Sequence, residues 1–193
     1  QNLLVNDEKL DLSNIALLQE DADEKRLLEN LESVVKAYRN MEENDSRLMQ
    51  RCLDVIISGQ RLDLVRFGAL GSELTSLDND TELDDYAYRV AGSVGEFWTE
   101  ICLNHVFKVA DSERREMLDA GTRFGKALQL INILRDIPED LSIMRCYIPS
   151  EDLSGVGLVP EDLLDKGNMD LFRPLMNTYI MYSNPSVRLS VRL

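Results

Sequence analysis

Proline is missing from the first 137 residues of this 193-residue chain, and all five prolines lie at or after Pro138. Proline removes a backbone donor and clashes with the preceding helical turn, so a stretch without it is free to form long helices. Histidine occurs once, as His105. That excludes multi-histidine metal centres and leaves any His-based triad dependent on one residue, which on an apolar helix reads as packing or surface. The three cysteines, Cys52, Cys102 and Cys146, stand far apart. No CxxC spacing exists for zinc or redox chemistry, and a reducing cytoplasm is their simplest setting. No run of eighteen apolar residues and no basic-then-apolar leader occurs, so a soluble cytoplasmic chain is expected, with membrane contact at most peripheral. Basic residues are the minority, 21 against 35 acidic ones, for a net charge of −14. A phosphate-backbone binder needs clustered cations to displace counterions, so no nucleic-acid partner is expected. Any anionic ligand must be met by local cations or by metal.

What is present is material for a core. With 44% apolar residues, the composition lies outside the disordered class. The length suits one domain, residues 1–193. Leu27, Leu28, Leu31, Val34 and Val35 recur at helical spacing between Asp23 and Arg39, with Lys36 and Arg39 at the end that favours cations. From Glu42 to Phe67, one face carries Leu48, Cys52, Val55, Ile56, Gly59, Asp63 and Arg66, apolar first and charged last. Gly68 to Asp80 reads as a loop. Leu83 to Val106 reads as a helix capped by the Asp and Thr residues before it, and Ser112 toward Asp140 as another. Tyr147-Ile148-Pro149 reads as extended, Ser150 as a cap, Pro160 as the start of a short helix and Asp170 to Tyr182 as the last helix. With no alternating run long enough for a sheet and no internal repeat, the expected fold is all-α, a helical bundle.

Two faces carry chemistry. At about 100° per residue, Gly121, Gly125, Gln129, Asn132, Asp136 and Asp140 form one stripe. Phe124, Leu128, Leu130, Ile131, Ile133 and Leu134 nearly surround the rest of that helix, which predicts a buried element. Buried carboxylates one turn apart repel unless a cation sits between them. Asp136, Glu139 and Asp140 therefore suggest Mg²⁺, which takes one or two carboxylates and completes its shell with water and substrate phosphate. The bland alternative is a solvated acidic helix end. Pro138 predicts a kink or a helix end between the two aspartates. On the preceding helix, Tyr86, Val90, Val94, Phe97 and Ile101 share an apolar face, with Ala91, Gly92 and Gly95 opposite, where small residues permit close helix approach.

These segments resemble the squalene/phytoene synthase family. Tyr86-Ala-Tyr-Arg-Val-Ala-Gly-Ser-Val-Gly95 is similar to its Y-x-x-x-V-A-G-x-V-G signature. Residues Gly125 to Asp140, followed by Arg145-Cys-Tyr-Ile-Pro149, are similar to its second Asp-rich motif and the R-x-Y-x-P that trails it. The resemblance implies an isoprenoid-synthase-type helical bundle around a central cavity. It also implies Mg²⁺-dependent head-to-head condensation of two allylic prenyl diphosphates through a cyclopropylcarbinyl diphosphate. Squalene then forms with reduction by NADPH, or phytoene forms without it. By the same resemblance Asp136 and Asp140, with Glu139 beside them, would bind Mg²⁺ and the departing diphosphate. Arg145 would neutralise diphosphate charge, and Tyr86 would act near the first ionisation and proton loss. Gln129 and Asn132 would sit close to the diphosphate, and Val90, Ala91, Gly92 and Val94 near the prenyl tail.

Departures accompany the match. The family's first Asp-rich motif and its F-x-x-x-Y-x-R segment have no counterpart here; Asp7 to Asp11 and Glu20 to Glu24 are acidic but lie in polar runs. The chain begins at Gln1, and Tyr182 to Leu193 comes after Arg173-Pro174 sooner than in the family. The expectation is an incomplete domain. Farnesyl diphosphate to (pre)squalene is the favoured reaction, from the bacterial look of Arg89 and Gly95-Glu-Phe-Trp98. Phytoene synthesis from geranylgeranyl diphosphate, or a non-catalytic helical paralogue, is the alternative.

Overall fold

The computed structural model describes residues 13–68 and 73–182. The acidic run Asp7 to Asp11, part of the Gly68 to Asp80 loop and the terminal segment after Tyr182 lie outside the described residues. By backbone contacts the chain divides into two compact units between Asp54 and Val55.

The first unit holds α1 (Ser13–Leu17), α2 (Ala22–Glu29), α3 (Leu31–Arg39) and the opening turns of α4 (Glu43–Phe67). Asp21 caps α2, its Oδ1 accepting from the backbone N–H groups of Asp23 and Glu24 at 2.8 and 2.9 Å. The single helix expected from Asp23 to Arg39 is two. Asn30 leaves helical geometry at φ −105° and ψ 8°, and its side-chain amide donates to the Arg26 carbonyl at 2.7 Å. Local side-chain bonding of this kind is how asparagine competes with the helix ladder. Neither α2 nor α3 buries a residue.

In the second unit, the turns of α4 after Asp54 precede β1 (Thr75–Ser76), α5 (Asp80–Ala87), a π-helical segment (Tyr88–Gly92) and α6 (Ser93–His105). Asn79, rather than an Asp or Thr, caps α5, accepting from the Glu82 N–H at 3.1 Å. Then come α7 (Asp111–Arg135), α8 (Ile137–Ser142), β2 (Arg145–Cys146), α9 (Ser150–Gly155), two 3₁₀ turns (Pro160–Leu164 and Lys166–Asn168) and α10 (Met169–Tyr182). Ser150 opens α9 after Pro149 instead of capping it; its N–H donates to the Leu77 carbonyl at 2.8 Å and its hydroxyl to the Asp78 carbonyl at 3.2 Å.

The all-α expectation holds, with one addition: β1 and β2 pair in parallel, Thr75 opposite Arg145 and Ser76 opposite Cys146. Two residues per strand leave no alternating pattern to read. The chain reaches β2 through Met144, which sits at φ 62°, a left-handed conformation costing a side-chain-bearing residue about 1–2 kcal/mol.

The core gathers Phe67, Leu77, Leu83, Tyr86, Ile133, Leu141, Tyr147, Ile148, Leu153, Phe172 and Tyr179 from α4, α5, α7, α8, α9 and α10 and from the segments flanking β1 and β2. The tightest approach is between α7 and the chain from Ala91 to Thr99. A Cβ on Gly125 would stand 2.2 Å from the Ala91 carbonyl oxygen, and one on Gly95 would stand 2.0 Å from that of Gly121. The glycines of the α7 stripe therefore serve packing. Their face is covered, whereas Phe124, Leu128 and Ile131 are about half exposed, contrary to the expectation of a helix buried all round.

The π segment corrects the expected Tyr86 face. Its extra residue rotates the side chains of α6 by about 100° relative to those of α5. Tyr86 is 8% exposed and Val90 packs against the core, but Val94 is 40% exposed. Ala91 and Gly92 lie at the crossing with Gly125.

Candidate active site

Asp136 ends α7 and precedes α8, at φ −95° and ψ 9°, with Pro138 in the first turn of α8. The helix does break where proline predicts, yet Asp140 stays one turn from Asp136. Asp136 N–H donates to the Asn132 carbonyl and Asp140 N–H to the Asp136 carbonyl, both at 2.9 Å. Proline in the first turn lacks only a donor that would be unpaired anyway, so the ladder crosses the break.

The two carboxylates differ in environment. Asp136 is forked by its neighbour, Arg135 Nε and Nη2 donating to its two oxygens at 2.6 and 2.7 Å, and that bonding holds its pKa below the usual range. Asp140 is pushed up to about 6, chiefly by burial and then by the charge of Asp136, with Asp63 and Glu139 adding to the rise and Arg145 opposing it. Glu139 itself is exposed. A small depression lies beside Asp140, lined by Ile133, Ile137, Leu141, Arg145, Cys146, Tyr147 and Ile148. Asp140 and Arg145 are the charged groups in that lining. Arg145 comes in on β2, its guanidinium carbon 5.8 Å from the centroid of the Phe67 ring.

Beneath lies a pair of stacked phenols. The Tyr86 and Tyr147 rings are 4.4 Å apart at 23°, and Phe67 meets Tyr147 edge-on at 5.2 Å and 68°. Gln129 Nε2, from α7, donates to the Tyr86 hydroxyl at 3.4 Å. Burial pushes the Tyr86 phenol up to about 12, while hydrogen bonding with Tyr147 and Gln129 works against the rise. The Tyr147 hydroxyl donates to Asp63 Oδ2 at 2.7 Å in buried surroundings.

The sequence places Asp63 on the inner face of α4 without assigning it a role. It is 8% exposed, and its Oδ1 and Arg66 Nη1 are buried with no hydrogen-bond partner among the described residues. An unpaired buried polar atom costs about 1–3 kcal/mol, so it calls for a reason. Burial raises the Asp63 pKa, opposed by the Tyr147 hydroxyl, Arg145 and Arg66. A carboxylate at the i+4 position from Gly59, where the apolar part of the stripe gives way to charge, was the signal available in sequence.

Of the residues singled out from sequence, the structure thus brings together Tyr86, Gln129, Asp140 and Arg145. Asp136 and Asn132 sit at the adjoining helix break, with Asn132 supplying its backbone carbonyl. Val90 stands on the core side of the π segment, Ala91 and Gly92 at the helix crossing, and Val94 outward. His105 is exposed at the end of α6.

Several known proteins are similar to this chain. A bifunctional lycopene cyclase/phytoene synthase from Aspergillus oryzae is 39% identical over 123 residues, 62% of this chain and 21% of that protein. One of the same description from Arthroderma gypseum is 35% identical over 131 residues, 67% of this chain and 22% of the relative. The chain therefore spans about a fifth of the length of the curated relatives it matches. Among solved structures, TcSQS in complex with the ligand BPH1237 superposes with a TM-score of 0.68 at 21% identity, over 84% of this chain and 45% of that one. Squalene synthase HpnC from Alicyclobacillus acidocaldarius gives 0.50 at 19%, over 93% and 64%. At such identities these structures establish the fold, the isoprenoid-synthase-type bundle that the resemblance implied. The sequence model of the squalene/phytoene synthase family matches residues 6–188, and this chain belongs to that family.

Proposed function

We propose that the protein condenses two allylic prenyl diphosphates head to head, through a cyclopropylcarbinyl diphosphate. The observation that carries this reading is that Asp140, Arg145 and Tyr147 line one small, otherwise apolar depression, with Tyr86 stacked on Tyr147 behind it. One substrate loses its diphosphate, and its allylic carbon joins the C2–C3 double bond of the other with loss of a proton. Arg145 neutralises anionic charge, and the rings of Tyr86 and Tyr147 offer π faces to positive charge while contributing no strong nucleophile. The apolar lining keeps water from the cation. Gln129 steadies the Tyr86 hydroxyl.

The donor set at the helix break fits Mg²⁺. Asp140 is crowded by Asp136, Asp63 and Glu139, all anionic oxygen donors of the kind magnesium selects, and among the described residues Arg145 relieves the repulsion. Asp136 and Asp140 would hold the ion with Glu139 beside them, and Arg135 would release its fork on Asp136. When bound, Mg²⁺ would supply charge neutralisation for the departing diphosphate.

For the substrate, the relatives above 30% identity are described as bifunctional lycopene cyclase/phytoene synthases, which supports two C20 geranylgeranyl diphosphates and phytoene as product. That branch needs no reductant, and none is assigned. The C15 branch from farnesyl diphosphate to squalene with NADPH, favoured from the motifs alone, is the second reading. Offering the full-length protein both diphosphates in competition with Mg²⁺, with and without NADPH, decides between them. A C40 hydrocarbon formed without NADPH supports the first reading, and a C30 product that depends on NADPH overturns it.

A further inference from the structure

We propose that Phe67 is a positioning residue for Arg145: its ring holds the guanidinium by a cation–π contact and leaves the N–H donors ready for a diphosphate at the depression. The proposal rests on the reading of Arg145 as the cation that neutralises that diphosphate. Arg145 is half-buried on β2, where pairing with β1 fixes its backbone opposite Thr75. The pairing does not fix its side chain. A free arginine gives up much rotamer freedom when an anion orders it, and that cost weakens binding unless the side chain is ordered beforehand. The charges of Asp140 and Asp63 act on the guanidinium. Charge alone attracts from any direction and does not choose the plane of the group, and among the described residues no salt bridge or hydrogen bond to this guanidinium is formed. Its carbon does lie over the Phe67 ring, 5.8 Å from the centroid, inside the range of about 6 Å at which a ring quadrupole attracts a cation.

Phe67 is itself firmly held. It closes α4, is 4% exposed and meets the Tyr147 ring edge-on at 5.2 Å. Arg145 and Tyr147 stand two positions apart on β2 and its continuation, where the Leu77 N–H still donates to the Cys146 carbonyl at 3.1 Å. That spacing sends both side chains to one side of the strand. A single ring therefore contacts two residues that line the depression. The contact uses none of the guanidinium N–H groups, whereas a forked carboxylate, like that of Asp136 on Arg135, would occupy them. Leucine would fill such a core position too; what the aromatic side chain adds is the negative face of its ring.

In the full-length protein, Phe67 is replaced by mono-, di- and trifluorophenylalanine, which drain the ring face of negative charge at nearly constant size, and by leucine in Phe67→Leu. Binding of inorganic diphosphate in the presence of Mg²⁺ is read by calorimetry, and circular dichroism confirms that each protein is folded. Affinity should fall stepwise with each fluorine and be about fivefold below wild type in Phe67→Leu. The fluorinated rings carry the test if Phe67→Leu does not fold, because a purely packing role leaves their affinities equal. Repeated in Arg145→Gln, the fluorine series should be flat. A flat series with Arg145 present, or a trend that persists in Arg145→Gln, overturns the proposal and leaves the condensation reading standing. Should Arg145→Gln bind diphosphate as tightly as wild type, the assignment of Arg145 to the diphosphate falls and the proposal falls with it. The stepwise trend in a protein that makes no condensed product would retain the Phe67 contact and reject the condensation reading instead.

Discussion

The hydroxyl of Tyr147 reaches Asp63 across 84 positions of sequence, at 2.7 Å, and ties the end of α4 to the segment just after β2. The same ring stacks on Tyr86, so removing different parts of Tyr147 has separable effects. Tyr147→Phe keeps the stack but strands the Asp63 carboxyl, for an expected loss of about 1–3 kcal/mol. Tyr147→Ala also opens a cavity against Phe67 and Tyr86, for an expected loss of about 3–5 kcal/mol. Urea denaturation of the two variants checks the order; equal losses would mean that the stack contributes nothing.

Close backbone approach makes a second contrast. Gly125→Ala drives a methyl into the Ala91 carbonyl, 2.2 Å away, and should destabilise the protein by more than about 2 kcal/mol. Gly155 ends α9 with nothing among the described residues within 4 Å of its would-be Cβ. Gly155→Ala should be neutral or stabilise by about 0.4–1 kcal/mol, because it restricts the unfolded chain. Melting temperatures of the pair, measured side by side, decide this.

Alkaline stability rests on buried acids that resist losing protons. Burial raises Cys146 from 9.0 to about 11 and Tyr86 from 10.0 to about 12, and it raises Tyr147 and Tyr179 in the same direction. Each folded-state pKa lies above its unfolded value, so the folded chain binds more protons in between. The stabilisation is complete below about pH 9 and is lost as pH rises through about 11 to 12. Denaturation midpoints should therefore fall across that window. Cys146→Ala should flatten the part of the fall nearest about pH 9 to 11, and an unaltered slope would rule out a contribution from the thiol.

Much of this arrangement was legible in the sequence where the cause is local. The proline-free run gave long helices, the small residues around Gly92 and Gly95 foretold a close crossing, and Pro138 marked the break at Asp136. The residues that converge came from two motifs whose spacing is helical. What stayed hidden depends on distant partners. The π segment at Tyr88–Gly92 redirects Val94, and no periodicity rule contains that extra residue. The split at Asn30 turns on one side-chain bond. Asp63 was visible as the first charge on a stripe that begins apolar, but its meaning required Tyr147. The exposed stripe of Phe124, Leu128 and Ile131 marks the opposite error, since an apolar pattern predicts burial only if something covers it.

At the helix break, Asp136→Ala should abolish turnover, by on the order of 10²-fold or more, while helicity by circular dichroism stays intact. The Asp136 side chain is 38% exposed and paired with its neighbour Arg135, so little of the fold hangs on it. Turnover that survived the substitution would remove Asp136 from the metal-binding set. Mg²⁺ titration by calorimetry gives the matching equilibrium test, with weaker binding expected in Asp136→Ala.

Whether the acidic helix break and the phenol pair join two prenyl diphosphates is tested most directly by product analysis. The full-length protein and its Asp140→Asn variant are each incubated with geranylgeranyl diphosphate and Mg²⁺. A condensed product is expected from the wild type, formed with release of inorganic diphosphate, and on the order of 10²-fold less from a folded Asp140→Asn. Equal yields from the two proteins would contradict the proposed reaction, and so would prenyl alcohol as the sole product of the wild type.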